Sequence, residues 1–195
     1  MANRKACIYC GSSGQCDPAY LAAAEQLGRV LARNNLTVVY GGGASGSMGR
    51  LAEGALAEGG RVIGVIPEFM VKIEWANPRI TETVVVPDMH ERKKRMIQEA
   101  NAVVALPGGS GTLDELLEAI SLKRLGLYLG PIVLLNTRSF FQPLVGLLER
   151  CIDLRFMDSR HARMWTIVQE PEEVPQAIAA AEPWSEDCRD FAALR

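Results

Sequence analysis

The stretch Ala102-Val-Val-Ala-Leu-Pro-Gly-Gly-Ser-Gly-Thr-Leu-Asp-Glu115 decides how the rest of the chain is interpreted. Its apolar half predicts a buried strand over 102–106, and a helical pattern opens at Thr112 after a glycine-rich turn. A turn of this kind aims free backbone N–H groups beyond the strand end, and the helix dipole behind them favours an anion. Glu115 adds a carboxylate one helical turn further on. The stretch therefore predicts a phosphate cradle with an acid beside it.

The sequence on both sides alternates short apolar runs with helical patterns. The predicted strands cover 6–9, 36–40, 62–66, 83–86, 102–106, 132–135 and 165–168. The predicted helices cover about 17–34, 47–59, 89–100, 112–128, 139–151 and 171–181. Several strands are apolar throughout, which is typical of parallel strands covered on both faces. The alternation favours an α/β fold, a single-domain doubly wound, mostly parallel, Rossmann-like sheet with helices on both faces.

One domain is expected, because no repeat, linker or low-complexity stretch divides the 195 residues. We expect a Rossmann-like nucleotide-binding domain over 1–183 and a loosely held C-terminal tail over 184–195, where periodicity is weak. The net charge of -2 lacks the basic excess that a nucleic-acid partner requires. The sequence contains no signal-peptide pattern and no apolar run of membrane-crossing length, so we expect a cytoplasmic protein without a membrane partner.

Cysteine and histidine usage favours structural over redox or metal roles. Five cysteines at irregular spacing fit reduced thiols better than a disulfide framework. Cys7 and Cys10 have redox-motif spacing, but Cys7 falls inside a predicted strand instead of at a helix N-terminus, where the dipole would lower its pKa. His90 and His161 have no second ligand at metal-binding spacing, so no metal site is expected.

Three predicted strands end in turns of small residues, at 10–14, 41–46 and 107–112. Because parallel strands end at the same edge of a sheet, these turns predict one nucleotide-sized pocket lined by backbone. The second turn also satisfies the GxGxxG dinucleotide pattern, but the acid after the next strand stands beyond a proline, so a smaller phosphate ligand is favoured. The loop residues expected to contact the ligand are Gly11, Ser12, Gly42, Gly43, Gly108, Gly109, Ser110, Gly111 and Thr112.

Two charged residues near this edge have open alternatives. Thr112 and Glu115 have the spacing of a capping box, which would account for the acid without catalysis. Arg92 belongs to a basic run that is either a solvated helix face or a source of positive charge for an anion. Asp114 and Glu115 cannot both face a phosphate, so we expect Asp114 to point outward and Glu115 inward.

Several motifs at matching spacing resemble one known family. Pro107-Gly-Gly-Ser-Gly-Thr-Leu-Asp-Glu115 matches PGGxGTxxE, the hallmark of the LOG (Lonely Guy) family of cytokinin riboside 5′-monophosphate phosphoribohydrolases, often mislabelled lysine decarboxylases. The resemblance extends in order over roughly 6–155. It includes Cys10-Gly-Ser-Ser13, Tyr40-Gly-Gly-Gly43, Gly46-Ser-Met-Gly49, Gly64-Val-Ile-Pro67 and Met89-His-Glu-Arg-Lys93.

The resemblance implies hydrolysis of the N-glycosidic bond of N6-modified adenosine 5′-monophosphates to a free base and ribose 5-phosphate, without a metal or organic cofactor. It implies Arg92 and Glu115 as the catalytic pair. It also implies a homodimer or a larger homo-oligomer, and the apolar stretch 116–129 is either such an interface or ordinary core. Beyond the three loops, the substrate-binding residues that it implies are Glu74, Met89, Lys93 and Ser121.

Two questions remain open on the sequence. Tyr128 and Gly130 replace a histidine–x–lysine pair common in plant-like members, which leaves the choice between cytokinin nucleotides, AMP and another nucleotide undecided. A non-catalytic nucleotide-binding or carrier protein on the same fold would use the same loops without requiring Arg92 and Glu115 together.

Overall fold

A sheet in which every strand runs parallel to its neighbours forms the centre of the fold. The computed structural model describes residues 4–73 and 75–192. The strands are β1 (Arg4–Tyr9), β2 (Leu36–Tyr40), β3 (Val62–Pro67), β4 (Glu82–Val86), β5 (Ala102–Ala105), β6 (Ile132–Leu135) and β7 (Trp165–Val168). The α-helices are α1 (Pro18–Arg33), α2 (Gly46–Ala57), α3 (Glu68–Lys72), α4 (Met89–Ile97), α5 (Ser110–Arg124), α6 (Gln142–Asp153) and α7 (Val174–Ala180). Short 3-10 helices cover Thr137–Ser139, Ser159–Met164, Pro171–Glu173 and Glu186–Phe191.

The strand order is β4-β3-β2-β1-β5-β6-β7, so the chain runs outward from β1 to β4 and then returns to β5 on the other side of β1. Ile8 is in register with both Tyr40 and Val104, so β2, β1 and β5 end close together. The connections that leave β1 and β5 diverge to opposite faces, which opens a crevice at the carboxyl edge. This topology confirms the predicted doubly wound, Rossmann-like α/β fold.

Helices bury both faces of the sheet. On one face, α1 and α2 pack through Leu27 and Leu51, and they approach so closely that a Cβ on Gly28 would lie 2.1 Å from the Leu51 carbonyl oxygen. On the other face, α4, α5 and α6 contribute side chains such as Met96 and Leu116. Across the part of the chain that the structure describes, no helix is both long enough and apolar enough to span a membrane.

The clearest differences from the predicted boundaries have local causes. Helix α5 begins at Ser110, two residues before its predicted start, because the extended Gly109 already caps it. Helix α6 begins only at Gln142, because Arg138 and Ser139 adopt left-handed φ values of 53° and 58°. The short helix α3 has no counterpart in the prediction, since none of its residues is buried and no amphipathic pattern marks it.

The described part of the tail, residues 184–192, packs against the domain, whereas a loosely held segment was expected. The Trp184 indole N–H donates to the Lys123 carbonyl oxygen at 2.9 Å, and the Phe191 ring centre lies 5.4 Å from that of the buried His161. Cys188 is also buried. The residues that make these contacts are irregularly spaced around a 3-10 helix. The sequence of the tail therefore shows no apolar pattern with a helical or strand period.

Candidate active site

A cavity of about 570 Å³ opens at the carboxyl edge of the sheet, where the crevice between β1 and β5 is expected. Its volume lies in the range typical of small-molecule sites. Ten of the residues predicted from sequence line it: Gly11, Ser12, Gly43, Met89, Arg92, Gly109, Ser110, Gly111, Thr112 and Glu115. The three small-residue loops therefore meet at one cavity.

The N-terminus of α5 forms the anion-binding side of this cavity. Helix α5 has no side-chain cap among the described residues, and its first three residues, Ser110, Gly111 and Thr112, lie in the cavity wall. The first N–H groups of a helix have no intrahelical acceptor, so these three remain available to a ligand. Gly108 lies behind them, where a Cβ would come within 2.2 Å of the Thr112 hydroxyl oxygen. The loop can pack against α5 only with glycine there.

The capping-box interpretation of Thr112 and Glu115 is wrong. With Gly109 as the cap, Thr112 is the third helical residue and Glu115 the sixth, so neither holds the position that the motif requires. Both side chains are buried, and neither forms a cap hydrogen bond. Glu115 thus lacks the structural role that would have explained it.

Glu115 is a buried carboxyl group in the cavity wall, with only 6% of the residue exposed. Among the described residues it has no hydrogen-bond or ion-pair partner. Burial raises its pKa to about 7, although the positive charge of Arg92 opposes that rise. The buried thiols of Cys7 and Cys10, neither of which forms a disulfide, lie close enough to interact with its charge, and burial raises the pKa of both. Neither is an activated thiol.

Arg92 is buried, 5% exposed, so the solvated-face interpretation is wrong for this residue of the basic run. Its Nε donates to the Val65 carbonyl oxygen at 3.1 Å and its Nη2 to that of Gly41 at 2.7 Å. Its Nη1 lies 3.8 Å from the Met89 sulfur. A Cβ on Gly41 would lie 2.0 Å from Nη2, so glycine is required for the guanidinium to fit. The result is a fixed positive charge at the ends of β2 and β3.

Lys93 faces α5 instead of the cavity. Its ammonium group pairs with Asp114 at 3.0 Å and with Glu118 at 2.9 Å. The hydrogen bond to Glu118 raises the pKa of Lys93 most, and the hydrogen bond to Asp114 raises it further. The Asp114 side chain is 63% exposed at the cavity rim, while Glu115 is buried in the wall, which is the division expected from sequence. Lys93 therefore neutralises the acid nearest to the anion-binding end of α5.

Two further predicted contacts, Ser121 and Gly42, do not line the cavity. The Ser121 hydroxyl donates to the Leu117 carbonyl oxygen at 2.8 Å, in a later turn of α5 and away from the cavity of its own chain. Gly42 shapes the second loop with a φ of 77°, and its carbonyl oxygen accepts from the Asn77 N–H at 2.9 Å. Glu74 lies outside the described residues.

Sequence reasoning missed the apolar part of the cavity. Side chains from α2, β3 and the segment around α3 line it: Met48, Ile66, Met70 and Trp75. Apolar residues are frequent in this segment, but they follow neither a helical nor a strand period. That concentration of apolar residues between Pro67 and Ala76 was the only available signal.

A parallel, doubly wound sheet with a helix N-terminus free of any side-chain cap at its switch point is the architecture of α/β proteins that bind phosphorylated small molecules. The chain belongs to the LOG family, because the family model described as "possible lysine decarboxylase" matches residues 48–178 and close relatives cover nearly the whole chain.

Two curated relatives are cytokinin riboside 5′-monophosphate phosphoribohydrolases of Arabidopsis thaliana. One is 38% identical over 181 residues, 92% of this chain and 83% of the relative. The other is 38% identical over 189 residues, 96% of this chain and 87% of the relative. A solved structure of a molybdenum cofactor binding protein from Rippkaea orientalis has a TM-score of 0.71 at 24% identity and covers 92% of this chain and 98% of that one. This last likeness establishes a shared fold.

Proposed function

We propose that the protein is a nucleoside 5′-monophosphate phosphoribohydrolase. It hydrolyses the N-glycosidic bond of N6-modified adenosine 5′-monophosphates, or of AMP, and releases the base and ribose 5-phosphate. The names of the relatives support the reaction class. The observation that carries the proposal is Glu115, a buried carboxyl group with no hydrogen-bond or ion-pair partner among the described residues, beside a helix N-terminus that has no side-chain cap.

The first step is binding of the 5′-phosphate at the start of α5. The backbone N–H groups of Ser110, Gly111 and Thr112 donate to its oxygens, and the helix dipole adds a favourable field. Lys93 keeps the Asp114 carboxylate from opposing this charge. Binding energy gained at the phosphate orients the distant glycosidic bond, so it contributes to catalysis and not only to affinity.

The second step is bond cleavage next to Glu115. Departure of the base builds positive oxocarbenium character on the ribose, and a carboxylate in a water-poor wall stabilises that charge more strongly than it would in water. Arg92 supports this role because its fixed positive charge lowers the pKa of Glu115 toward the ionised form. The guanidinium is held by the Val65 and Gly41 carbonyls, so Arg92 also sets the shape of the cavity floor.

A phosphoribohydrolase also fits the side chains of the cavity better than a decarboxylase using pyridoxal phosphate. That chemistry needs a lysine to form a Schiff base at the site. Among the described residues, no lysine lines this cavity. The buried lysine, Lys123, is at the other end of α5.

The proposed assembly is a homodimer in the cytoplasm. Leu117, Leu125, Leu127 and Leu129 expose apolar surface along α5 and the loop after it, which supports an interface between copies. Ser121 is one turn from Leu117 on this helix and does not line the cavity of its own chain, so we assign it to the proposed interface. The free thiols of all five cysteines fit a reducing compartment. Light scattering of the purified protein measures the assembly.

The decisive experiment incubates the protein with AMP and with N6-isopentenyladenosine 5′-monophosphate and measures free base by chromatography. Release of base by the wild type, and its loss in Glu115→Gln and Arg92→Ala, is the expected result. Binding of nucleotide without release of base would instead support the non-catalytic carrier. Release of base by Glu115→Gln at the wild-type rate would reject the assignment of Glu115.

A further inference from the structure

The cavity has two chemically different halves. One half consists of backbone N–H groups together with Arg92 and Glu115, and it suits a phosphate and a ribose. The other half is apolar, and its side chains are Met48, Ile66, Met70, Trp75 and Met89. None of these five described side chains carries a carboxylate, amide or hydroxyl group, so they offer a ligand the indole N–H of Trp75 and the weakly accepting methionine sulfurs.

Trp75 is the most unusual member of the apolar half. A tryptophan is normally well buried, yet this residue is 58% exposed at the cavity. Its neighbours fix its place in the fold: Ala76 bridges to Gly43, and the buried Asn77 donates its N–H to the Gly42 carbonyl oxygen at 2.9 Å. The indole is thus carried on an anchored backbone and presents a large aromatic surface that the other described residues leave uncovered.

We propose that Trp75 is a specificity-determining residue whose indole stacks on the heteroaromatic base of the nucleotide, with Met70 and Met89 completing the apolar wall. This inference rests on the proposed function, because it assigns the second half of the same cavity. Flat bases stack on indole rings through their faces, and methionine sulfurs add soft contacts at ring edges. Together these side chains provide the base with the apolar surface that the phosphate half lacks.

Stacking predicts a particular pattern of selectivity. Every base has a π face, so recognition by Trp75 tolerates changes at the hydrogen-bonding edge and depends on ring area. Purine nucleotides therefore bind better than pyrimidine nucleotides. A substituent on N6 changes affinity less than loss of a ring does.

The test compares two ligands that share the phosphate and ribose and differ in the base. So that AMP is not consumed during the titration, calorimetry measures the Kd of AMP and of ribose 5-phosphate in the Glu115→Gln background, alone and combined with Trp75→Ala, Trp75→Phe or Phe69→Ala. Phe69 is a matched control, because it is an exposed aromatic residue of the same segment that does not line the cavity. In Trp75→Ala we expect AMP to bind about tenfold more weakly, the scale of one base–aromatic stack, with the Kd of ribose 5-phosphate unchanged.

Trp75→Phe should recover most of the AMP affinity, since it keeps an aromatic face, and Phe69→Ala should match the Glu115→Gln background alone. Equal weakening of AMP and ribose 5-phosphate in Trp75→Ala, or unchanged AMP affinity, would overturn the proposal. The binding measurement does not depend on turnover. If the wild type binds AMP without hydrolysing it, the hydrolase proposal is rejected, but the ratio of the Kd values of AMP and ribose 5-phosphate still tests stacking. A wild type that binds neither ligand overturns both proposals.

Discussion

Helix α5 buries a charged side chain near each of its ends, Glu115 in its second turn and Lys123 in its last. Both are almost inaccessible, 6% and 3% exposed. Burial shifts both toward the neutral form, raising the pKa of Glu115 to about 7 and lowering that of Lys123 to about 8. The two ends differ in what surrounds the charge.

At the C-terminal end, the fold provides Lys123 with partners. Its ammonium group donates to the Gly130 carbonyl oxygen at 2.6 Å and lies 5.7 Å from the centre of the Trp184 ring. At the N-terminal end, Glu115 has no such partner among the described residues. Buried polar groups in native proteins usually have a partner, so the lack of one at Glu115 supports the role proposed for it. Lys123, with its partners, is consistent with a structural anchor.

The largest effect expected from this contrast is on turnover. Glu115→Gln keeps the shape of the side chain but removes its charge, and we expect kcat to fall about 1000-fold, the scale of losing one preorganised electrostatic contact. Lys123→Met is the control at the other end, with kcat within about twofold of the wild type at a temperature where it is folded. Steady-state release of base from AMP measures both. Comparable losses in the two variants would remove the distinction between the ends.

The second effect is on the pH dependence of stability. Because the pKa of Glu115 is raised in the folded protein, the contribution of Glu115 to the free energy of unfolding is fully present below pH 4.5. It is lost as pH rises through about 7. The full shift corresponds to about 3 kcal/mol. Glu115→Gln should therefore lose this pH dependence and be more stable than the wild type at pH 8. Urea unfolding between pH 5 and 8 measures it, and identical slopes in the two proteins would contradict the raised pKa.

Lys123 should give the opposite slope at higher pH. Its folded pKa is lowered, so its contribution to stability rises between about pH 8 and its ordinary value of 10.5. Lys123→Met should abolish that rise. The substitution should also lower the free energy of unfolding by about 2 kcal/mol at pH 8, because the Gly130 carbonyl oxygen loses its donor. Denaturant titrations of both proteins from pH 8 to 10 test the sign, and a fall in wild-type stability attributable to Lys123 would contradict it.

The smallest effect concerns the charge beside the phosphate site. Lys93→Met frees the Asp114 carboxylate at the start of α5, so we expect ribose 5-phosphate to bind about threefold more weakly, the scale of one charge near a helix terminus. Lys94→Met is the matched control, since Lys94 is on the same helix but pairs with Glu91. Calorimetry at low salt resolves the difference. Equal affinities in the two variants would leave Lys93 as a purely structural link between α4 and α5.

Much of the fold was predictable from sequence because fully buried parallel strands are apolar on both faces. The strands 36–40, 132–135 and 165–168 match their predicted bounds, and the strand order is that of the predicted doubly wound parallel sheet. The three loops also meet as predicted, since the ends of parallel strands share one edge. A binding site lined by backbone can be predicted in this way because glycines at the ends of apolar runs are a pattern of neighbouring residues in the sequence.

The rest depended on information that is not local. The start of α5 was misplaced because its cap is a glycine backbone and not a side chain, and this error created the capping-box alternative. Whether Lys93 meets the ligand or the acids of α5 depends on packing between α4 and α5. Trp75 could not be placed because its position is set by the pairing of Ala76 with Gly43 across the sheet edge.

The hydrogen bonds of Arg92 also determine how the cavity can move. One guanidinium joins α4 to the carbonyl oxygens of Gly41 and Val65, so the floor of the cavity and the ends of β2 and β3 form one cooperative unit. Local opening of that floor would break both hydrogen bonds of Arg92 together. Amide hydrogen exchange at these strand ends should therefore be slower than in the segment around the exposed Trp75.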